Sequence, residues 1–404
     1  MNHALSEAAL PRAFRFSATA CGLKKTGALD LALISSDVLA SAAAVFTQNL
    51  VVAAPVTVSK ANLRASKGRM RAVIINAGNA NCATGDAGHA ASIKTAEETA
   101  RRLQCEPREV FVCSTGVIGV PLPTEKILRA LPGITQNRRP SARSFAELSL
   151  AICTTDTRPK TAASSFKMSG KRIHLVGCAK GAGMIHPNMA TTLAFVATDA
   201  SISPALLQKT LLDVTKRTFN SISIDGDTST NDTLLVLANA AAGAPAIKTG
   251  STAHRAFAKA LEEVCHSLAL QIVADGEGAQ RVIEILVRGA KTEAGARRIA
   301  QTIGTSPLVK TAFAGGDPNW GRIFAAAGRA GVKFDPARVD IHMAGFPVLR
   351  RGQPLNFNER AASNRLLERH VLLILDLHAG RASTRFWTCD FTSEYVRINA
   401  SYRT

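Results

Sequence analysis

The stretch KGAGMIHPNMATTLAF, Lys180 to Phe195, carries more of the reading of this chain than any other. Its first half is rich in glycine. Gly181 and Gly183 permit backbone conformations that side chains forbid, and Pro187 fixes one φ. Its second half runs into apolar residues that read as a buried strand. Between the halves stand a small residue, Ala190, and a hydroxyl, Thr191. A threonine hydroxyl is a poor nucleophile without a base beside it. One solution is to make the threonine the first residue of a polypeptide, so that its own α-amino group is that base. Here that requires a cut between Ala190 and Thr191. The same residues also suit a Gly-rich turn feeding a strand, because Gly, Pro and Asn punctuate turns.

Outward from this stretch, polar and glycine-rich strings recur at the ends of apolar segments, where loops carry chemistry. INAGNANCATGDAG, Ile75 to Gly88, holds Asn76, Asn79 and Asn81, which serve equally as turn formers. STGVIG, Ser114 to Gly119, ends another apolar run. Such a junction aims a backbone N–H and a threonine hydroxyl at one point, the architecture of an oxyanion hole. TTDT, Thr154 to Thr157, precedes Lys180, and a lysine among glycines and alanines just before a nucleophile reads as a partner for a substrate carboxylate. FNSISIDGDTSTND, Phe219 to Asp232, is dense in acids and hydroxyls but lacks the EF-hand order of ligands. DGEGAQ, Asp275 to Gln280, sets Glu277 between two glycines, as a turn residue or as a carboxylate held towards a ligand amine. GGDPNWGRIFAAAG, Gly315 to Gly328, contains Trp320, one of the two tryptophans.

Composition sets bounds without naming a function. The chain has 404 residues, 46% hydrophobic and 20% charged, as expected of a globular enzyme with more than one core. The first twenty residues lack a signal-type apolar core, and no run approaches the ~18 apolar residues of a membrane span, so a cytoplasmic protein is expected. Cys21, Cys82, Cys105, Cys113, Cys153, Cys178, Cys265 and Cys389 are scattered with no C-x-x-C pair, which predicts reduced, mostly buried thiols. The net charge of +19 raises nucleic-acid binding. The basic residues are spread in short groups and aromatics are only 5%, which favours a solvated basic surface that attracts small anions.

Periodicity alternates strands and helices without repeats. RAVIIN (Arg71 to Asn76), EVFVCS (Glu109 to Ser114), LAFVAT (Leu193 to Thr198) and RVIEILVR (Arg281 to Arg288) have strand composition. Phe257, Leu261, Val264, Cys265 and Leu268 fall on one helical face, and Ser203-Pro204 reads as a cap and first-turn pair. The class is mixed α/β.

The segment around Ala190-Thr191 resembles the self-cleavage site of the ornithine acetyltransferase family, also called glutamate N-acetyltransferase or the ArgJ family. Lys180, Gly181, Gly183, Met184, Ile185, Pro187, Met189, Ala190 and Thr191 carry the resemblance, which extends from Thr47-Gln48-Asn49 to the terminal DFTSEYVRINASYRT, Asp390 to Thr404. Thr192 departs from it, since relatives usually have methionine there; the change places a second hydroxyl beside the nucleophile.

The resemblance implies an αββα sandwich of the self-processing aminopeptidase type with a smaller C-terminal α/β domain. It implies an α chain of residues 1–190 and a β chain of residues 191–404, with the C-terminal part from roughly residue 280. Thr191 is then the nucleophile, and Thr115 and Gly116 form the oxyanion hole. Thr154, Thr157, Lys180, Thr191, Glu277, Asn399 and Thr404 are the implied substrate-binding residues. The implied reaction moves the acetyl group of N-acetylornithine to glutamate through acetyl-Thr191, in two half-reactions without metal or organic cofactor, and leaves acetyl-CoA open as a second donor. A heterotetramer of two α and two β chains is implied, with neither nucleic acid nor membrane as partner. Two rivals remain: an amidase or aminopeptidase on the same chemistry, and a non-enzymatic basic binding protein.

Overall fold

RAVIIN, EVFVCS, LAFVAT and RVIEILVR all fall in strands, EVFVCS and RVIEILVR with their first residue outside, in a computed structural model that describes residues 6–186 and 192–401. The strands are β1 (Phe14–Thr19), β2 (Leu31–Phe46), β3 (Arg69–Asn79), β4 (Val110–Val117), β5 (Lys160–Met168), β6 (Lys171–Lys180), β7 (Leu193–Thr198), β8 (Ile222–Ser223), β9 (Thr233–Ala238), β10 (Val282–Ala290), β11 (Asp340–Met343), β12 (Phe346–Arg350), β13 (Gln353–Pro354), β14 (His370–Asp376) and β15 (Ala382–Cys389). They form two sheets, one in the order β4-β3-β2-β9-β7-β6-β5 with β1 also on β2, the other β13-β12-β11-β14-β10-β15-β8.

The first sheet doubles over on itself, and β2 is the reason. This strand pairs through its first half with β1 and β3 and through its second half with β9, and its register with β3 breaks between Ser35 and Ala40. Side chains alternate across a strand. On the first half, Leu31, Leu33, Ile74 and Val112 pack against the helices Ala54–Ala65, Gly85–Leu103 and Thr124–Gln136. Their neighbours Ile34, Val73, Ile75 and Phe111 face the other way and share one core with Val176, Phe195, Leu235 and Leu237 of the second half. The far side of that half, at Leu175, Val196, Leu234 and Val236, is covered by the helices Pro204–Arg217 and Thr252–Ala274. The layers therefore run helix, sheet, sheet, helix, which is the αββα sandwich.

Helix Thr252–Ala274 buries the face expected of it: Phe257, Leu261, Cys265 and Leu268 are completely inaccessible to solvent. Each large apolar side chain so buried contributes about 1.5–3 kcal/mol of transfer free energy. The helix Pro204–Arg217 is capped as its sequence predicts, with Ser203 accepting the Leu206 N–H and Pro204 at its first position. The second sheet has its own core, in which Ile283, Ile285, Leu373 and Phe386 meet the helices Glu293–Gly304, Pro307–Ala314 and Trp320–Gly328. This is the smaller C-terminal α/β unit. Val282, Trp387 and Cys389 on its other face join the core around helix Thr252–Ala274. All eight cysteines are free; Cys21 and Cys105 are half-buried and the rest buried. No helix among the described residues is long and apolar enough to cross a membrane.

Candidate active site

Strand ends deliver the site. β6 and β7 are antiparallel neighbours, with Lys180 opposite Leu193, so the chain leaves the sheet at Lys180 and re-enters it beside the same point. β3 and β4 are parallel, which brings the end of β3, from Asn76 to Asn79, and the Thr115–Gly116 junction together. Asn76 accepts the Ser114 hydroxyl at 2.6 Å and donates to the Asn79 carbonyl, Asn79 donates to the carbonyls of Val120 and Pro121, and Asn81 donates to Gly88 O and Ser92 Oγ. Asn76 and Asn79 are thus part of β3 and Asn81 follows it, and their side chains brace the backbone at the end of the strand. Asn231 locks the junction from the other side, donating to Ala80 O at 2.7 Å and Ser114 O at 2.8 Å. Gly116 has φ +133°, and a Cβ on it would lie 2.4 Å from the carbonyl carbon of Gly78. Only glycine fits.

A buried ionic chain lies behind this edge. Lys180 Nζ is 3.3 Å from Thr115 Oγ1. Asp156 accepts the backbone N–H of Gly181 at 2.6 Å and of Thr154 at 2.9 Å, and pairs with Lys160 at 2.6 Å. Lys160 reaches Asp275 at 2.6 Å with its other side. Burial alone raises the Asp156 carboxyl, but the ammonium groups of Lys180 and Lys160 and the Gly181 N–H outweigh it and hold it down at about 2.

The opposite wall is built around Glu277. Its N–H donates to Ala182 O at 2.7 Å, and its carboxylate rests on Gly183, where a Cβ would come within 2.6 Å of Glu277 Oε2. Asn399, on the helix Ser393–Ser401, donates to Glu277 Oε2 at 2.8 Å. Asp225 accepts the N–H groups of Met184 and Ile185 at 2.5 and 2.9 Å and lies 3.4 Å from the Tyr395 hydroxyl. Burial raises the Asp225 carboxyl against those N–H donors, and burial with the Asp225 charge pushes the Tyr395 phenol up.

Between these walls is a cleft with a cavity volume of about 130 Å³, lined among others by Thr115, Gly116, Thr154, Lys180, Glu277 and Asn399. Six of the residues expected from sequence therefore converge. Thr157 is placed elsewhere: its N–H and hydroxyl both bind the Asp275 carboxylate, and Thr155 lines the cleft beside Thr154. Ala190, Thr191 and Thr404 lie outside the described residues. Thr192, the first described residue after them, donates its N–H to Asp232 Oδ1 at 2.7 Å, and its buried hydroxyl has no hydrogen-bond partner among the described residues. Thr47 and Asn49 bind the carbonyls of Ser229 and Thr228 and so brace the loop that carries Asn231.

Sequence reasoning missed Asp156, Lys160, Asp275, Asp225, Asn231 and Tyr395. For Asp156, Asp275, Asp225, Asn231 and Tyr395 a signal existed, since each stands in a string already singled out. Lys160 offered none. Among the described residues no group of three or more His, Cys, Asp or Glu is placed to hold a metal ion.

The model of the ArgJ family matches residues 15–404. The chain belongs to this family. It is 45% identical over 396 residues to the arginine biosynthesis bifunctional protein ArgJ of Symbiobacterium thermophilum, covering 98% of each chain. To the ArgJ of Thermus thermophilus it is 47% identical over 395 residues, covering 98% of this chain and 99% of that one. A crystal structure of ArgJ from Bacillus halodurans superposes with a TM-score of 0.51 at 42% identity, covering 52% of this chain and 98% of that one. That ArgJ chain, about half as long as the protein, is thus matched over almost its whole length by about half of this one.

Proposed function

We infer that the protein is an acetyltransferase of arginine biosynthesis that moves the acetyl group of N-acetylornithine to glutamate after cutting itself between Ala190 and Thr191. The observation that carries this reading is convergence: an oxyanion-type junction, a buried ammonium and a framed carboxylate meet in one cleft, at the edge where the chain leaves β6 and rejoins β7. Membership of the ArgJ family supplies the reaction. The half-length Bacillus halodurans chain is what a cut near the middle of such a protein leaves.

The chemistry follows from the residues. Attack of the Thr191 hydroxyl on the Ala190 carbonyl moves the acyl group from N to O, which breaks the amide and frees the Thr191 α-amino group; hydrolysis of the resulting ester then releases the Ala190 carboxylate and returns the Thr191 hydroxyl. An α-amino group titrates at about 7.7–8.0, so near neutral pH a useful fraction accepts the hydroxyl proton. Thr191 then attacks the acetyl carbonyl, Thr115 and Gly116 stabilise the oxyanion, and ornithine leaves with the proton. Glutamate takes the acetyl group in the second half-reaction. Lys180, with Thr154, suits the α-carboxylate common to both donor and product, and Glu277 suits the side-chain ammonium of ornithine. Thr404 belongs to the same pocket in this reading.

Acetyl transfer from acetyl-CoA to glutamate belongs to the proposal because the relatives are named bifunctional. So do the assembly of two α and two β chains and the cytoplasmic location. The test is a paired assay of the purified protein, with acetylornithine in the presence and absence of glutamate and with acetyl-CoA as alternative donor. Acetylglutamate formed only when glutamate is present is the expected result. Equal release of acetate without glutamate makes the protein a hydrolase.

A further inference from the structure

We propose that Lys160 is a positioning residue for acetyl transfer, joining the two walls of the cleft through one buried ion-paired unit; this deepens the acetyltransferase reading and rests on it. Lys160 touches no part of the cleft. Its side chain is wholly buried, and its ammonium lies 2.6 Å from Asp156 Oδ1 and 2.6 Å from Asp275 Oδ2. The two carboxylates belong to opposite walls. Asp156 holds the N–H groups of Thr154 and Gly181 and so fixes the backbone next to Thr154 and Lys180. Asp275 ends helix Thr252–Ala274, stands two residues before Glu277, and takes both the N–H and the hydroxyl of Thr157.

Arg158 lies 3.8 Å from Asp275 Oδ1, and the charges of Lys180 of β6 and Lys24 of the β1–β2 loop act on Asp156. Cys153, pushed up to about 12 chiefly by burial and then by the Asp156 charge, remains a neutral thiol. Lys160 is the one of these cations within 3 Å of both carboxylates. Removing one partner of a buried ion pair leaves an uncompensated charge, which the surroundings relieve by moving or by taking up a proton. Either response shifts the backbone behind Lys180 or behind Glu277, and small misplacements of substrate-holding groups lower turnover sharply.

The experiment compares full-length wild type, Lys160→Met and the double variant Lys160→Met/Asp275→Asn by kcat/KM for acetylornithine with glutamate, by thermal unfolding, and by the extent of self-cleavage on a denaturing gel. Lys160→Met lowers kcat/KM at least tenfold. The double variant, which also neutralises one of the two carboxylates left without Lys160, recovers a clear part of that loss. A packing role alone predicts no recovery, because the second substitution adds no volume. If Lys160→Met does not fold, the double variant decides: transfer by it supports the proposal, and failure to fold or to transfer overturns it. A folded Lys160→Met with wild-type kcat/KM, or a double variant no better than the single one, also overturns it. Wild-type protein that transfers no acetyl group removes the acetyltransferase reading itself, an outcome read independently of the variants.

Discussion

Glu277 owes its position to the absence of a side chain on Gly183. Its carboxylate occupies the space a Cβ would need, and Asn399 holds one of its oxygens. Glu277→Gln keeps the shape and removes the charge. It should weaken use of acetylornithine by roughly 1.5–3 kcal/mol, the range for hydrogen bonds to charged groups, with a smaller loss for acetylglutamate in the reverse direction. Equal losses in kcat/KM for both compounds would mean that Glu277 does not read the ammonium. Gly183→Ala should give the same donor-selective defect by displacing the carboxylate. Gly116→Ala is harsher, because it combines a Cβ 2.4 Å from backbone with a φ that side chains rarely adopt. Strain of this kind costs of order 1–3 kcal/mol before the overlap is counted, and the expected outcome is a lower Tm together with loss of transfer.

Among elements, the C-terminal helix Ser393–Ser401 is the one that closes the cleft without building the fold. None of its described side chains is buried, yet it brings Tyr395 to Asp225 and Asn399 to Glu277. The segment before the cut is fastened independently, by Asp225, by Ser223 and by the N–H of Glu277. Ending the chain at Thr392 should therefore abolish most acetyl transfer while leaving the two fragments visible on a denaturing gel. An uncut chain in that variant would show that the helix is needed for scission as well. Elements of this size were also where the sequence was most legible. The face of Phe257, Leu261, Val264 and Leu268, the Ser203-Pro204 cap and the strand LAFVAT all declare themselves through local spacing. The two-residue β8 and the doubling of the first sheet do not, since both depend on pairing between distant segments. The cleft was legible where motifs carried it, at Thr115, Gly116, Lys180, Glu277 and Asn399. Lys160 was invisible because the partner that gives it meaning, Asp275, is 115 positions away, and a lysine in KTAASSF carries no local sign of burial. Thr154 and Thr157 occupy one short string, and only the contact with Asp275 separates them.

For the whole molecule, the buried ionic chain sets an acid limit. Asp156 is held at about 2 in the fold against an ordinary value near ~3.9 in the unfolded chain. A depressed carboxyl adds stability that is complete above the unfolded value and is lost as pH falls from about 4 through about 2. Urea midpoints measured down that range should fall, and Asp156→Asn should show a shallower slope there; superimposable slopes would assign the acid loss to other carboxylates.

The order of strands in the first sheet has a kinetic consequence. β9 and β7, from beyond residue 191, lie between β2 on one side and β6 on the other, both from before it. Once the chain is cut, each fragment is interleaved with the other, and neither has a complete sheet to return to alone. Uncut protein regains its structure in a unimolecular event, whereas the processed enzyme after denaturation must find its other half by diffusion. Recovery of the processed form should become slower and poorer on dilution, while that of uncut Thr191→Ala should not depend on concentration. If the proposed cut follows folding, it turns a fold that one chain can regain into an assembly that two fragments must find together.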